Sequence, residues 1–231
     1  DLVRRRRWYR KARLNTKGPW QEIGQTKIID ISLQSFAESE LIVAWAISSA
    51  GDALFRRGIT AATPSGNSWE HISCDHPLIS ISCSDENKIW AVDKKGAIFF
   101  RTEVSFENPM GNSWKRIDSP SNTQFKLISA GEKGVWALDV LSRLSVRIGI
   151  TTSCPEGTHW QLLPNIPNDP PNLDDEMNIG YKCISAGRIV MAISNSGYVC
   201  KRNGITKENP SGTGWDVGIR GNWNWLCVDA Y

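Results

Sequence analysis

The sequence predicts an all-β fold: a β-propeller of four complete four-stranded blades, with half-blade strands at both ends. One motif recurs four times along the 231 residues, and each recurrence contains four short apolar runs. The runs are bounded by Gly, Pro, Asn and Asp, which is typical of strands and turns. A four-stranded unit of this length is a propeller blade, and no helical periodicity competes with it over a comparable stretch.

The repeated motif is Arg, then Pro-x-Gly-x-x-Trp, and each Arg precedes its Trp by thirteen positions. If the two strands around this loop pair as a hairpin, the Arg lies opposite the Trp and its guanidinium can cover the indole. The Pro and Gly favour one turn shape in every unit. We therefore predict architectural roles, with a ring of four ligand sites as the alternative. The motif residues are Arg56, Pro64, Gly66, Trp69; Arg101, Pro109, Gly111, Trp114; Arg147, Pro155, Gly157, Trp160; and Arg202, Pro210, Gly212, Trp215.

Four strands, a to d, are predicted in each unit. Strand a is "IIDIS", "LISIS", "FKLIS" or "YKCIS", and strand b is "VAWAIS", "IWAVD", "VWALD" or "VMAIS". Strand c ends at the motif Arg and strand d begins at the motif Trp. Two units depart from the pattern: Met191 replaces the strand-b Trp in the fourth, and "EVS" replaces the loop sequence "GIT" in the second. A proline-rich stretch from Leu162 to Asn178 predicts an exposed loop, either a tolerated insertion or a partner site.

The two ends of the chain carry incomplete units. "PWQEI" matches strand d, with Trp20 in the place of the motif Trp, and "WLCVDA" matches strand a, with Trp225 in the place of Tyr181. Propeller rings close when both chain ends contribute to one blade. We therefore expect a shared blade whose strands b and c lie before Asp1, with "RRRRWYRK" as a folded insert within it.

Charge and composition exclude several classes of protein. Seven basic residues lie within the first thirteen, while the whole chain has 27 Lys+Arg and 24 Asp+Glu, so the remainder is mildly acidic and a nucleic-acid-binding surface is not supported. No apolar run approaches the roughly 18 to 20 residues of a membrane span. The six cysteines lack zinc-site spacing, and we predict reduced thiols in a cytosolic protein.

No catalytic motif can be identified. The three histidines, His71, His76 and His159, are scattered, and no nucleophile elbow, phosphate-binding loop or metalloprotease motif is present. We predict no enzymatic activity, no cofactor and no metal site.

The repeats resemble tectonin β-propeller repeats over residues 18–231, through the Trp-Ala, Arg, Gly-Ile-Thr and Pro-x-Gly-x-x-Trp elements quoted above. "RRRRWYRKARL" is similar to the closing motif of a dysferlin-type (peroxin/ferlin) domain. The resemblance implies two domains, a dysferlin-type end at 1–14 and tectonin repeats at 15–231. It also makes Arg4, Arg5, Arg6, Arg7 and Trp8 candidate binding residues, although such side chains are mostly structural in that module.

The family resemblance also implies a function. Its members are cytosolic membrane-tethering proteins, peripheral on lysosomal and autophagosomal membranes, that act in autophagosome–lysosome fusion, autophagosome maturation and the lysosomal membrane response. The expected partners are proteins of the autophagy conjugation machinery, and membrane lipids (phosphoinositide or sphingomyelin) bound mainly by parts outside this chain; no nucleic acid is expected. The resemblance therefore favours a non-catalytic scaffold. Two alternatives are a carbohydrate-binding propeller in innate defence and an independent basic arm that binds anionic membranes.

Overall fold

The computed structural model describes residues 8–9, 21–22, 25–35, 42–84, 87–164, 180–195 and 197–219. Within these ranges the chain forms strands and turns only, and contains no helix capable of crossing a membrane. Two short strands, β1 (Trp8–Tyr9) and β2 (Gln21–Glu22), pair antiparallel in a sheet of their own. The remaining strands form four sheets of four strands each.

Each four-stranded sheet is an antiparallel meander in chain order, which confirms the predicted blades. The first blade contains β3 (Ile28–Ser35), β4 (Ile42–Ser48), β5 (Ala53–Arg57) and β6 (Ser68–Ile72). The second contains β7 (Leu78–Ser84), β8 (Lys88–Asp93), β9 (Ile98–Arg101) and β10 (Trp114–Ile117). The third contains β11 (Phe125–Gly131), β12 (Gly134–Asp139), β13 (Leu144–Ile148) and β14 (His159–Leu162). The fourth contains β15 (Tyr181–Ala186), β16 (Val190–Ser194), β17 (Val199–Asn203) and β18 (Gly214–Ile219).

Burial explains the apolar pattern of the strands. Strands b are buried on both faces, so β4, β8 and β12 are nearly continuous apolar runs. The outermost strands d are largely exposed, and β10 and β14 contain polar residues such as Lys115 and Gln161. The blades therefore bury their second and third strands between neighbours and present the fourth to solvent.

Neighbouring blades are joined by apolar clusters in which the strand-b Trp is central. Trp45 of the first blade lies edge-on to Trp114 of the second, with ring centroids 6.0 Å apart. Trp90 lies in the same way against Trp160 of the third blade, at 6.2 Å. The motif residues Trp114 and Trp160 therefore also seal the interface with the preceding blade.

Serine hydroxyls connect the innermost strands, a feature that the sequence analysis did not identify. The Ser32 Oγ accepts a hydrogen bond from the Cys83 N–H at 2.9 Å, and Ser82 accepts one from Ala130 at the same distance. Ser129 accepts the equivalent bond from Ala186, at 2.8 Å. The "IS" pair shared by all four strands a is the signal in the sequence.

Turns between strands b and c form a second link between blades. The Gly51 carbonyl accepts a hydrogen bond from the Leu78 N–H at 2.8 Å, where the next blade begins. Ser142 makes the equivalent contact with Tyr181, at 2.9 Å, and it adopts the positive φ that Gly51 has in the first blade. Backbone groups thus fix the spacing of adjacent blades on the side opposite the motif loops.

Candidate functional site

The c–d hairpin loop of each blade contains the predicted motif residues. In every blade the strand register places the motif Arg opposite the motif Trp, as predicted. Each guanidinium carbon lies 5.1 to 5.3 Å from the centroid of its partner indole. This separation is within the range of a cation–π interaction. The pairs are Arg56–Trp69, Arg101–Trp114, Arg147–Trp160 and Arg202–Trp215.

The same guanidinium also fixes the loop. In each blade the Arg Nε donates to the carbonyl of the residue between the Pro and the Gly, at 2.7 to 2.9 Å. The Nη2 donates to the carbonyl of the Gly itself, at 3.2 to 3.5 Å. A planar guanidinium can satisfy two neighbouring carbonyls while stacking on a ring, which a Lys ammonium cannot do. These geometric demands account for an Arg in every unit.

A hydrogen-bonded turn brings these carbonyls into place. In the first blade the Gly66 N–H donates to the Thr63 carbonyl at 2.8 Å, which makes Pro64 the second residue of a β-turn. Pro is favoured there because its fixed φ suits the turn. The other three loops repeat the bond, at 3.0 to 3.1 Å. A hydroxyl from the loop, Thr60 in this blade, accepts the Thr63 N–H at 3.0 Å and closes the segment.

The second blade keeps this loop although its sequence is "EVS". Ser105 accepts the Asn108 N–H at 3.1 Å, which is the role of Thr in the other loops. Glu103 occupies the position of Gly58 in the first blade and has a similar backbone conformation: φ is 56° at Glu103 and 71° at Gly58. Most residues avoid this left-handed region. The departure in sequence is therefore absorbed without a change of loop shape.

Electrostatically, the four guanidinium groups are sequestered. Arg147 is 4% exposed and the others are also buried. Burial lowers the pKa of all four arginines below the usual value for this side chain. Within the described ranges none of them forms a salt bridge with a carboxylate. Carbonyl oxygens and the indole face therefore compensate each charge.

The solvent-exposed tips of the four loops differ from one another. The two residues before the closing turn are Ala61 and Ala62 in the first blade, but Lys207 and Glu208 in the fourth. They are Phe106 and Glu107 in the second blade, and Thr152 and Ser153 in the third. The shared residues of the motif point into the protein, and the exposed ones do not repeat. The loops thus do not present four copies of one polar site.

In the second and third blades, the central residue of the Pro-x-Gly turn contacts the preceding blade. Glu156 forms a salt bridge with Lys115 of the second blade. Met110 accepts a weak contact from the Arg57 guanidinium of the first blade, at 3.5 Å. The salt bridge lowers the pKa of Glu156, chiefly through its hydrogen bond with Lys115. These contacts add a third link between blades, at the outer rim.

Replacing Gly157 by Ala tests the loop geometry. Gly157 has a φ of 68°, and a Cβ there would lie 2.7 Å from the Ile148 carbonyl oxygen. We expect Gly157→Ala to lower the free energy of unfolding by about 2 kcal/mol, because the left-handed conformation alone costs roughly 1–2 kcal/mol. Thermal unfolding measures the change.

Gly214→Ala is the matched control for that substitution. A Cβ at Gly214 would meet no atom within 4 Å, and this residue lies in β18. An Ala in a strand is roughly 0.5–1 kcal/mol better than Gly. Equal destabilisation by the two substitutions would contradict a specific demand for Gly at position 157.

The cysteines and histidines of the described segments are not grouped as metal ligands. Cys74, Cys83 and Cys154 are free thiols in the structure. No group of three potential metal ligands occurs in the part of the chain that the structure describes. Two of the histidines make local contacts. The His76 ring lies 4.8 Å from the Phe99 ring, measured between centroids, and His159 Nδ1 is hydrogen-bonded to Thr158 Oγ1 at 3.0 Å.

Alkylation of Cys83 provides a test of the first interface. Burial raises the pKa of this thiol to about 12, whereas an ordinary thiol has a pKa of about 8.5. The thiolate is the reactive form, so at pH 8 we expect Cys83 to resist iodoacetamide in the native protein and to react after denaturation. Peptide mass spectrometry locates the label. Rapid native labelling of Cys83 would show that the first two blades do not pack as described.

The N-terminal candidates have no described side chains. Arg4, Arg5, Arg6 and Arg7 lie outside the described residues, and Trp8 is described only as part of strand β1. Trp20, Trp225 and the proline-rich stretch at 165–178 also lie outside them. A binding role for the arginines and the shared closing blade therefore stay predictions.

Four antiparallel four-stranded sheets, linked in chain order through shared clusters, define a β-propeller protein. Comparison with known proteins identifies the family. The tectonin domain model matches residues 5–139, and a second model, described as a propeller, matches residues 134–163 and 189–218. This chain belongs to the tectonin β-propeller family.

Relatives of the chain carry the same family name. A tectonin β-propeller repeat-containing protein of Drosophila melanogaster is 51% identical over 100% of this chain and 18% of its own length. Tectonin β-propeller repeat-containing protein 1 is 41% identical in Gallus gallus, over 99% of this chain and 19% of its own length. The Homo sapiens protein is 38% identical, over 100% and 20%. The chain thus spans about a fifth of the length of these relatives.

Solved structures support the fold. The YCF48 protein of Cyanidioschyzon merolae aligns with a TM-score of 0.56 and 15% identity, over 89% of this chain and 61% of its own. Human WBSCR16 aligns with a TM-score of 0.53 and 14% identity, over 83% and 52%. At such low identity the similarity concerns the fold alone.

Proposed function

We propose that this propeller is a non-catalytic scaffold within a cytosolic membrane-tethering protein that acts in autophagosome–lysosome fusion and autophagosome maturation. Its partners are proteins of the autophagy conjugation machinery. Membrane lipids, phosphoinositide or sphingomyelin, are contacted mainly by other parts of the longer protein. The protein is peripheral on lysosomal and autophagosomal membranes.

The scaffold role rests on the observation that the Arg and Trp side chains of the motif make their contacts within the protein. The arginines donate to loop carbonyls and stack on indoles, and Trp114 and Trp160 pack against the strand-b Trp of the preceding blade. A rigid row of blades of this kind offers varied surfaces for protein recognition. The membrane and autophagy setting is supported by the family membership, since fold alone does not specify function.

Carbohydrate binding is the alternative function that the family resemblance suggests. A sugar is usually held by an exposed aromatic face and by polar groups directed at its hydroxyls. In the motif loops Trp160 is buried, and the Arg147 guanidinium that covers it is directed at the loop's own carbonyls. The geometry therefore favours the scaffold.

A reporter of autophagosome delivery tests the tethering proposal. Cells that lack the endogenous protein are given the full-length protein, either unchanged or with Trp90→Ala, which destabilises the propeller. We expect the unchanged protein to restore acid quenching of a tandem-fluorophore autophagosome marker, and the Trp90→Ala protein to leave unfused autophagosomes.

The control in that experiment is Lys95→Ala, which changes an exposed turn residue. It is expected to restore delivery fully. Normal delivery by the Trp90→Ala protein would contradict the proposal. So would saturable micromolar binding of lipopolysaccharide by the folded propeller, which would support the carbohydrate alternative.

A further inference from the structure

The first blade exposes an apolar face that the other three blades bury. On β3, Ile31 is 50% and Leu33 61% exposed. The residues that match Ile31 in the repeat are Ile81, Ile128 and Ile184, and each is 3% exposed. Each of these three residues lies in an apolar cluster that also contains side chains of the preceding blade. The face of β3 therefore has the character of an interface with a preceding blade.

The register of β1 and β2 indicates what that blade contains. Tyr9 pairs with Gln21 and Trp8 with Glu22, antiparallel. In the sequence, Arg10 directly follows Tyr9 and Trp20 directly precedes Gln21. In the first blade Phe55 pairs with Glu70, and the next step brings Arg56 opposite Trp69.

The sequences around these two hairpins match in the same alignment. "WYRK" before the first loop corresponds to "LFRR" before the second, and "PWQEI" after it corresponds to "SWEHI". In both hairpins the first segment contains an aromatic residue, an Arg and a second basic residue in that order. In both, the second segment contains a Trp that is followed by a polar residue. The loop of the N-terminal hairpin is three residues shorter. The match to the tectonin domain begins at residue 5 and therefore includes β1.

We propose that β1 and β2 are strands c and d of a fifth blade, which packs on the exposed apolar face of β3. The occupant of this face is thus the N-terminal segment of the same chain. Tyr9 takes the repeat position of Phe55 and Phe100, which lie in apolar clusters between blades. An aromatic side chain at this position is complementary to Ile31 and Leu33.

The proposal changes the interpretation of the basic segment. Residues 1–14 are predicted from resemblance to end a dysferlin-type domain, inserted between strands c and d. In the fifth blade the segment supplies strand c itself, and Arg10 becomes the counterpart of Arg56. Arg4 precedes the strand and is left without a role in the hairpin, so the two arginines are expected to behave differently.

Hydrogen exchange of the full-length protein, followed by mass spectrometry, tests this packing. Leu33→Glu places a charge in the proposed interface. We expect it to accelerate exchange about tenfold or more both in residues 28–35 and in residues 8–22, because the two segments protect each other. Leu141→Glu, at a turn residue that is 66% exposed, is the matched control and is expected to change neither.

A pair of arginine substitutions separates the fifth blade from a free basic arm. Arg10→Ala is expected to accelerate exchange in residues 8–22, and Arg4→Ala to leave it unchanged. The proposal would be overturned if Leu33→Glu accelerated hydrogen exchange in residues 28–35 but left the exchange rate of residues 8–22 unchanged. Equal effects of Arg10→Ala and Arg4→Ala would also overturn it. If size-exclusion chromatography showed a dimer that Leu33→Glu dissociates, the occupant of the face would be a second copy of the chain, and the proposal would be wrong.

Discussion

Trp90→Ala is expected to lower the free energy of unfolding by about 3–5 kcal/mol, the usual cost of removing a large buried aromatic side chain. Trp90 has no solvent exposure, and its ring contacts Phe100 at 5.0 Å and Trp160 at 6.2 Å between centroids. The substitution opens a cavity at the interface of two blades. For a chain of this size, the change lowers the melting temperature by roughly 10 °C, measured by thermal unfolding.

Trp90→Phe is the graded control. It keeps an aromatic ring in the interface, and its expected cost is less than half that of Trp90→Ala. Leu141→Ala, at an exposed turn, is expected to leave the melting temperature unchanged. A Trp90→Ala protein as stable as the unchanged one would show that the strand-b Trp does not join the second and third blades.

Arg147→Ala is expected to cost about 3 kcal/mol, the second largest effect. It removes charge-assisted hydrogen bonds to the Glu156 and Gly157 carbonyls, at 2.8 and 3.2 Å, and the stacking on Trp160. Hydrogen bonds to charged groups contribute about 1.5–3 kcal/mol, and a cation–π pair about 0.5–2 kcal/mol. Thermal unfolding measures the loss.

Arg147→Lys separates charge from geometry. Lys keeps the positive charge but lacks the planar fork that reaches both carbonyls, so most of the loss is expected to remain. Arg116→Ala, at an exposed position in β10, is the control for removal of an arginine. If Arg147→Ala left stability unchanged and abolished binding of a glycan, the motif would be a ligand site.

The sequence was sufficient to predict the blades and the Arg–Trp pairs because both depend on local spacing. A hairpin of fixed length puts Arg56 opposite Trp69, whatever the rest of the chain does. The continuous apolar runs around Trp45 and Trp90 likewise follow from burial on two faces.

Contacts between blades were harder to predict, since they join residues distant in sequence. Ser32 is an ordinary strand residue until the next blade supplies the Cys83 N–H. The loop containing Glu103 looked like a departure from the motif because its conformation depends on backbone angles, which the residue type alone does not fix. The short strand β1 was not predicted either, because the basic cluster hides the aromatic pair Trp8 and Tyr9.

Hydrogen exchange at arginine Nε–H groups, followed by NMR at neutral pH, tests most directly whether the repeated motif is architectural. Buried and hydrogen-bonded Nε–H groups are expected to exchange slowly at Arg56, Arg101, Arg147 and Arg202, and rapidly at the exposed Arg116 and Arg188. The four slow signals should also be unchanged by lipopolysaccharide. Rapid exchange at all of these arginines, or shifts of the four signals on addition of the glycan, would contradict an architectural motif.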